Sequence, residues 1–382
     1  MVPLIDSPSI PPLFPAPRRA AVFRALQLGD MLCAAPALHA LRASWPHAHI
    51  TLIGLPWAAE FVERFASLID ELVVFPGARG FPEQPETDSG LPHFLAAMRE
   101  RRFDLAIQMH GSGGPANAIV KQLGAAACAG FLQPHEAPEP GFIFWPDALP
   151  EPQRYLSLVR ALGLHATNDA LWFPLTAHDR DEYAALESQH GIEPKRLVLI
   201  HPGAQLPSRR WPAARFAEVA DALSMRGWQI AITGTSSEAP ITDTVIGAMA
   251  APSLHLAGAT SLGGLAALVE HARLVVCNDT GISHVAAAMG TPSTVIASGS
   301  DTRRWAPLDH ERHRVIADYP PCRPCAFLDC PYGHPCALNV SVERVLDVAL
   351  DQLARHSRAR PAASDVRRAR RGRSVKEGRH ET

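Results

Sequence analysis

The sequence predicts an α/β protein made of two doubly wound domains in series. Three observations carry that prediction. Short apolar runs alternate with helix-like segments through both halves of the 382 residues, the rhythm of parallel βαβ units. A polar helix-like segment between Trp172 and Pro194 separates the two runs of alternation. In both halves the apolar runs end in glycine-containing turns that open onto a helix, where open α/β sheets bind ligands. Two such domains enclose a cleft between them.

The first half reads as follows. Ala20 to Phe23 is a strand, and a helix runs from about Asp30 to Ser44 with Pro36 inside or near its first turns. His49 to Ile53 is a second strand, Trp57 to Ala66 is helical, and Glu71 to Phe75 is extended. Gly77 to Gly90 is a polar Gly/Pro-rich loop, Pro92 to Arg101 a helix, and Asp104 to Met109 a strand. In the second half Leu197 to Ile200 is a strand. Pro212 suits the first turn of a helix that runs to Arg226, and Gly227 ends it. Trp228 to Thr233 is extended, Glu238 to Met249 helical, and Leu254 to Leu256 a short strand. Ser261 can cap a helix to His271. Arg273 to Cys277 and Ser293 to Ala297 are strands, with a small-residue helix from Val285 to Met289 closed by Gly290. Ser341 to Ala354 is the last helix. The expected division is a Pro-rich leader at 1–18, a first domain at 19–175, a linker at 176–194 whose helical part is His178 to Gln189, a second domain at 195–355, and a tail at 356–382.

Composition narrows the classes. The chain is 47% hydrophobic and 19% charged, enough apolar residues for two buried cores. No apolar run reaches the ~20 residues of a spanning helix. The leader lacks the basic-then-apolar pattern of a signal peptide, so the expected compartment is the cytoplasm. The formal net charge of -2 hides an asymmetry: from His356 onward there are nine Lys/Arg against three Asp/Glu. The acidic body argues against nucleic acid as a partner. The basic tail either is a solvated end or contacts an anionic membrane surface, at ~1 kcal/mol per basic residue near the surface.

Four constellations carry chemistry. Arg24-Ala25-Leu26-Gln27-Leu28-Gly29-Asp30 follows the first strand. Gly29 permits a tight turn, and Asp30 at the helix start either caps it or takes a proton from an incoming hydroxyl. His201-Pro202-Gly203-Ala204 with Ser208-Arg209-Arg210-Trp211-Pro212 follows another strand, and its guanidinium groups suit phosphate oxygens. Thr233-Gly234-Thr235-Ser236-Ser237-Glu238 brings a carboxylate to a strand's carboxyl end, where Rossmann domains bind ribose hydroxyls. Cys277-Asn278-Asp279-Thr280-Gly281-Ile282-Ser283-His284 runs from a strand into a helix. Its free amides and positive dipole end suit a diphosphate. His284 lies one turn into that helix and either points at the diphosphate or packs.

These ordered motifs resemble glycosyltransferase family 9, the family of the ADP-heptose:lipopolysaccharide heptosyltransferases, over about Arg19 to Leu350. The resemblance rests on Leu28-Gly29-Asp30 with Pro36-Ala37-Leu38, on His201-Pro202-Gly203 with Arg210-Trp211-Pro212, on Thr233-Gly234 with Glu238, and on Asp279-Thr280-Gly281 with His284 and Ala286-Ala287-Ala288. It implies a GT-B fold and an inverting, metal-independent transfer of a heptose or related sugar from ADP-heptose to a lipopolysaccharide core or related glycan. The enzyme would work in the cytoplasm, peripherally at the inner membrane. It further implies Asp30 as general base, Arg209 on the donor phosphates where the family usually has Lys, Glu238 on the ribose, and Asp279, Thr280 and Gly281 as the donor-binding turn. Arg210 and His284 join the donor side, and Arg24, Gly29, His201 and Gly203 are further cleft candidates. Two alternatives stay open: another nucleotide sugar or a protein acceptor, and a non-catalytic module that binds nucleotide sugars.

Cysteine usage adds one expectation. Cys33, Cys128 and Cys277 are isolated among apolar residues and read as core. Cys322, Cys325, Cys330 and Cys336 lie within fifteen residues beside His334, in a proline-rich stretch. They suit a structural zinc or iron site, or else are free thiols, or disulfides under oxidation. No metal or other cofactor is expected in catalysis.

Overall fold

The structure, a computed structural model, describes residues 13–84 and 90–356. The leader up to residue 12 and the basic tail from residue 357 lie outside the described residues. The first domain runs β1 (Arg19–Phe23), α1 (Leu28–Ser44), β2 (His49–Gly54), α2 (Ala58–Arg64), β3 (Glu71–Val74), α3 (Gly90–Glu100), β4 (Leu105–Gln108), α4 (Pro115–Gln122), β5 (Ala127–Leu132), β6 (Phe142–Phe144) and α5 (Glu151–Ala161). A connecting helix, α6 (Ala177–His190), follows. The second domain runs β7 (Leu197–His201), a 3-10 turn (Pro207–Arg209), α7 (Ala213–Ser224), β8 (Gln229–Gly234), α8 (Ala239–Ala248), β9 (Leu254–Ala257), α9 (Leu262–His271), β10 (Leu274–Asn278), α10 (Gly281–Met289) and β11 (Ser293–Ala297). It closes with α11 (Thr302–Trp305), β12 (His313–Ala317), α12 (Pro335–Leu338) and α13 (Val342–Arg355).

Each domain carries one six-stranded parallel sheet. The strand orders are β3-β2-β1-β4-β5-β6 and β12-β11-β10-β7-β8-β9, both the doubly wound nucleotide-binding order. The central strands are apolar because both faces are covered. The side chains of β7 alternate: Leu197 and Leu199 join a core cluster that runs through the domain interface, while Val198 and Ile200 face a second cluster with Trp211 and Phe216. In β1, Ala20 and Val22 enter the interface cluster and Ala21 and Phe23 the outer one. The interface cluster is continuous across both domains and includes α1, α9 and α10 residues.

Local signals set several ends. Ser261 accepts from the Gly264 amide at 3.0 Å and caps α9. Gly290 closes α10 in the left-handed region at φ 67°. Pro212 stands just before α7 rather than inside its first turn. Two expectations need correction. α1 begins at Leu28, so Gly29 and Asp30 lie within its first turn, and Pro36 falls in mid-helix. Residues 176–194 are a packed element as well as a connector: α6 lies against α9, and its Asp179 pairs with Arg64 of α2 in the first domain. Residues 110–172, where the sequence pattern marks no element, hold α4, β5, β6 and α5. Among the described residues no helix is long and apolar enough to cross a membrane.

Candidate active site in the interdomain cleft

The site follows from where the central strands stop. β1 leads to α1 and β10 leads to α10, and these two helices pack against each other across the interface. Their first turns nearly touch. A Cβ placed on Gly29 would lie 2.8 Å from the His284 Cδ2 and 3.5 Å from the Gly281 Cα. Gly29 is therefore required for close approach, without a left-handed φ. Two positive helix ends thus face one cleft of about 240 Å³. Gln27, Gly29 and Asp30 line it from the first domain. Arg209, Asp279, Thr280, Gly281, His284, Ser300 and Trp305 line it from the second. Thr280 is extended and its side chain makes no capping bond, so among the described residues no side chain occupies the first amides of α10. That is the geometry of an anion site.

Asp30 is the carboxylate that the first domain presents. Its side chain makes no hydrogen bond among the described residues, so both oxygens are free to accept. Burial raises its pKa above the ordinary value, and Arg24, His284 and Arg304 oppose that rise. Across the cleft, Ser300 Oγ donates to the Asp279 carboxylate at 2.5 Å and orients it. Arg209 donates to the carbonyls of Ser298, at 3.2 Å, and Cys325. Burial lowers its pKa. Its guanidinium is a fixed cation at the cleft wall. His284 is buried, and Cys33 Sγ lies 3.6 Å from its Nδ1. Burial lowers its pKa, so it is a neutral ring at the junction of the two helices.

Glu238 lies beyond this cavity, at the end of β8. It accepts from the Thr235 amide at 2.8 Å and the Thr235 hydroxyl at 2.9 Å. Gly203 makes room for it, since a Cβ there would fall 2.0 Å from Glu238 Oε1. His201 is buried, bonded through Nδ1 to Thr233 Oγ1 at 3.1 Å, with Nε2 3.9 Å from Glu238. It supports Glu238 from beneath. Arg210 turns back to the Ala204 carbonyl at 2.9 Å and does not line the cavity.

One expectation is corrected here. Arg24 is fully buried and cannot touch a ligand; it grips the carbonyls of Asp30 and Met109 instead. Cys322, Cys325, Cys330 and Cys336 form no disulfide. Among the described residues no three His, Cys, Asp or Glu side chains converge as a metal site. Hydrogen bonds tie the stretch to the end of β11. The Cys325 amide donates to the Gly299 carbonyl at 2.9 Å, and Arg323 donates to the Ser300 and Asp318 carbonyls at 2.8 and 2.6 Å.

Sequence reasoning misses several residues near the cleft. Asn278 accepts from the Trp211 amide at 2.9 Å and donates to the Pro202 carbonyl at 2.7 Å, locking the β7 and β10 turns together. Arg304 and Trp305 follow the end of β11, so the strand-end rule that finds the other constellations could have found them. Glu151 and Tyr155 carry no such signal.

Comparison with known proteins agrees with this architecture. Residues 92–334 match glycosyltransferase family 9 (heptosyltransferase). Lipopolysaccharide heptosyltransferase 2 of Salmonella typhimurium is 26% identical over 338 residues, covering 84% of this chain and 94% of that protein. Among solved structures, a family 9 glycosyl transferase from Veillonella parvula superposes with TM-score 0.74 at 22% identity, over 88% of this chain and 98% of that one. The ADP-heptose lps heptosyltransferase II of E. coli superposes with TM-score 0.66 at 21% identity, over 89% and 100%. The fold is GT-B.

Proposed function

The chain belongs to glycosyltransferase family 9, and from that premise we propose that it moves a heptose from ADP-heptose to a lipopolysaccharide core acceptor with inversion at the anomeric carbon. The observation that carries this reading is the unpaired Asp30 carboxylate, set in the cleft opposite the amide end of α10. Its relatives at 26% identity are lipopolysaccharide heptosyltransferases, which supports the choice of sugar.

In this reading Asp30 removes the proton from an acceptor hydroxyl as that oxygen attacks the anomeric carbon. The diphosphate leaves from the opposite face. The α10 amides at Thr280 and Gly281, with the Arg209 guanidinium, stabilise the departing charge, so catalysis needs no metal. Asp279 holds the turn through Ser300. Glu238, seated on Gly203, accepts from the ribose hydroxyls. His284 donates from its ring without adding a charge. The raised pKa of Asp30 makes it a stronger base than an exposed aspartate. The acceptor is carried by a membrane, and the nine Lys/Arg of 356–382 support a peripheral contact with anionic lipid at the cytoplasmic face.

Asp30→Asn tests the assignment. It keeps the shape and removes the base, so ADP-heptose should bind with unchanged affinity by calorimetry while kcat falls by roughly 10²–10⁴-fold. Near-normal turnover in that variant would sink Asp30 as the base. Binding of a different nucleotide sugar with ADP-heptose excluded would sink the donor.

A further inference from the structure

Beneath the cleft lies a cluster of buried charge that the transfer steps above leave unused. Glu151, at the start of α5 in the first domain, is fully buried. It accepts a forked pair of bonds from Arg304 of α11 in the second domain, Nε at 2.6 Å and Nη2 at 3.0 Å. The Tyr155 hydroxyl also donates to it. Arg24 approaches within 4.0 Å and Arg154 within 3.9 Å. Arg24 in turn holds the backbone carbonyl of Asp30 and lies over the Tyr155 ring at 4.3 Å. One carboxylate therefore joins the cation of the far domain to the cation that grips the backbone of Asp30.

Stability alone is a poor reason for this arrangement. Taking a carboxylate out of water is costly, and buried ion pairs are often replaceable by packed apolar groups without loss. Burial would raise the Glu151 carboxyl, but the Arg304 bonds and charge, with Arg24, hold it below its ordinary range. It stays ionised beside a reacting carboxylate.

We infer that Glu151 is a positioning residue for the transfer step: clamped by Arg304 across the domain interface and set beside Arg24, it aligns Asp30 only when the two domains are together. The inference rests on Asp30 being the base. Domain closure delivers Arg304 to Glu151, the Glu151–Arg24 pair steadies the first turn of α1, and the Asp30 carboxylate faces the acceptor oxygen.

The charges that face Asp30 give the test its sign. Arg24 comes from the β1–α1 connection, Glu151 from α5, His284 from α10 and Arg304 from α11. Arg209 and Asp279 line the same cavity. Removing the Glu151 charge lowers the pKa of Asp30, and removing the Arg304 charge raises it. The experiment measures kcat, KM and donor affinity against pH for Glu151→Gln, Arg304→Gln and Arg304→Lys. In each variant kcat should fall roughly 10- to 100-fold, the scale of a misaligned catalytic group, while donor affinity by calorimetry stays within about threefold. The acidic limb of the kcat profile should move down in pH for Glu151→Gln and up for Arg304→Gln. Arg304→Lys should return the limb to its wild-type position and recover part of kcat, because it keeps the charge and loses the fork. Unchanged kcat, or a loss of kcat with the limb unmoved, overturns the inference, as does movement of both limbs in one direction. Should Glu151→Gln fail to fold, the Arg304 pair decides, since that side chain is 29% exposed and lies at the interface. Asp30→Asn run alongside separates the two readings: an active Asp30→Asn removes the base, whereas an inactive one with wild-type Arg304→Gln removes only the role of Glu151.

Discussion

Gly203 controls a side chain it does not contain. A Cβ at this position would fall 2.0 Å from Glu238 Oε1 and 2.3 Å from its Cδ, and Gly203 lies outside the positive-φ glycines. The constraint is one of space, so Gly203→Ala should fold normally and displace Glu238 from Thr235. If Glu238 holds the ribose, affinity for ADP should weaken about tenfold, the worth of one charge-assisted hydrogen bond. Calorimetry with ADP checks this, and unchanged affinity would remove Glu238 from the nucleoside site. The residues that the sequence exposes share a property with Gly203: Asp30, Glu238, Asp279, Thr280 and Gly281 all follow a strand end with local turn chemistry. Glu151 and Arg304 meet across 153 positions, and Cys33 reaches His284 across 251. Pairings of that span leave no periodic or local trace in a single chain, so who meets whom is not readable even where the residue itself is.

At the scale of elements, α6 shows how a connector becomes part of the machine. Thr176 and Asp179 form a capping box at its start, a pattern visible in sequence. What is not visible is that Asp179 also takes both Arg64 nitrogens from α2. Nor is it visible that Glu182 accepts from the Ser261 amide at 2.7 Å at the start of α9. The opening of α9 must therefore be bare, and Leu262-Gly263-Gly264 supplies that. A Cβ on Gly263 would lie 1.8 Å from Asp179 Oδ1, itself pinned and buried. Gly263→Ala should destabilise the protein by about 2–4 kcal/mol through a broken buried pair. Gly247, inside α8, has open space where a methyl group would stand, with nothing within 4 Å, and Gly247→Ala should gain about 0.5–1 kcal/mol. Urea denaturation of both variants checks the contrast, and equal effects would refute it. Among the elements the sequence leaves blank, those from α4 to α5 are blank for physical reasons. β6 has three residues, β5 is rich in Ala and Gly, and α5 buries Glu151 and Arg154 on the face where apolar residues would have marked a helix.

For the whole molecule, two α/β domains and a cleft between them were legible because parallel strands buried on both faces read as apolar runs. The abutting first turns of α1 and α10 were not, because they depend on how the domains pack. The same packing buries titratable groups and ties global stability to pH. Burial lowers the pKa of His110 to about 3 and that of His313 to about 4. His110 accepts from the Ala25 amide at 3.2 Å, and His313 shares a bond with Ser293 at 2.9 Å, so both serve as neutral rings. In the unfolded chain each takes a proton near pH 6.5. Between there and the folded values the unfolded state binds more protons, so stability rises with pH across that window and is lost as pH falls through it. At pH 5 the loss is on the order of 1–2 kcal/mol per histidine. Asp30, with its pKa raised, acts in the opposite direction: its folded form binds the extra proton, and its contribution declines as pH rises past the ordinary aspartate range. These two histidines, with His284 acting the same way, against one aspartate leave a net acid sensitivity. Urea midpoints should drop between pH 7 and pH 5, and His313→Asn, which can keep a bond to Ser293, should shrink that drop. A midpoint that holds or rises at pH 5 would mean that these rings are hydrated in the folded protein, and that the packing at the β11–β12 edge is looser than the buried His313–Ser293 pair requires.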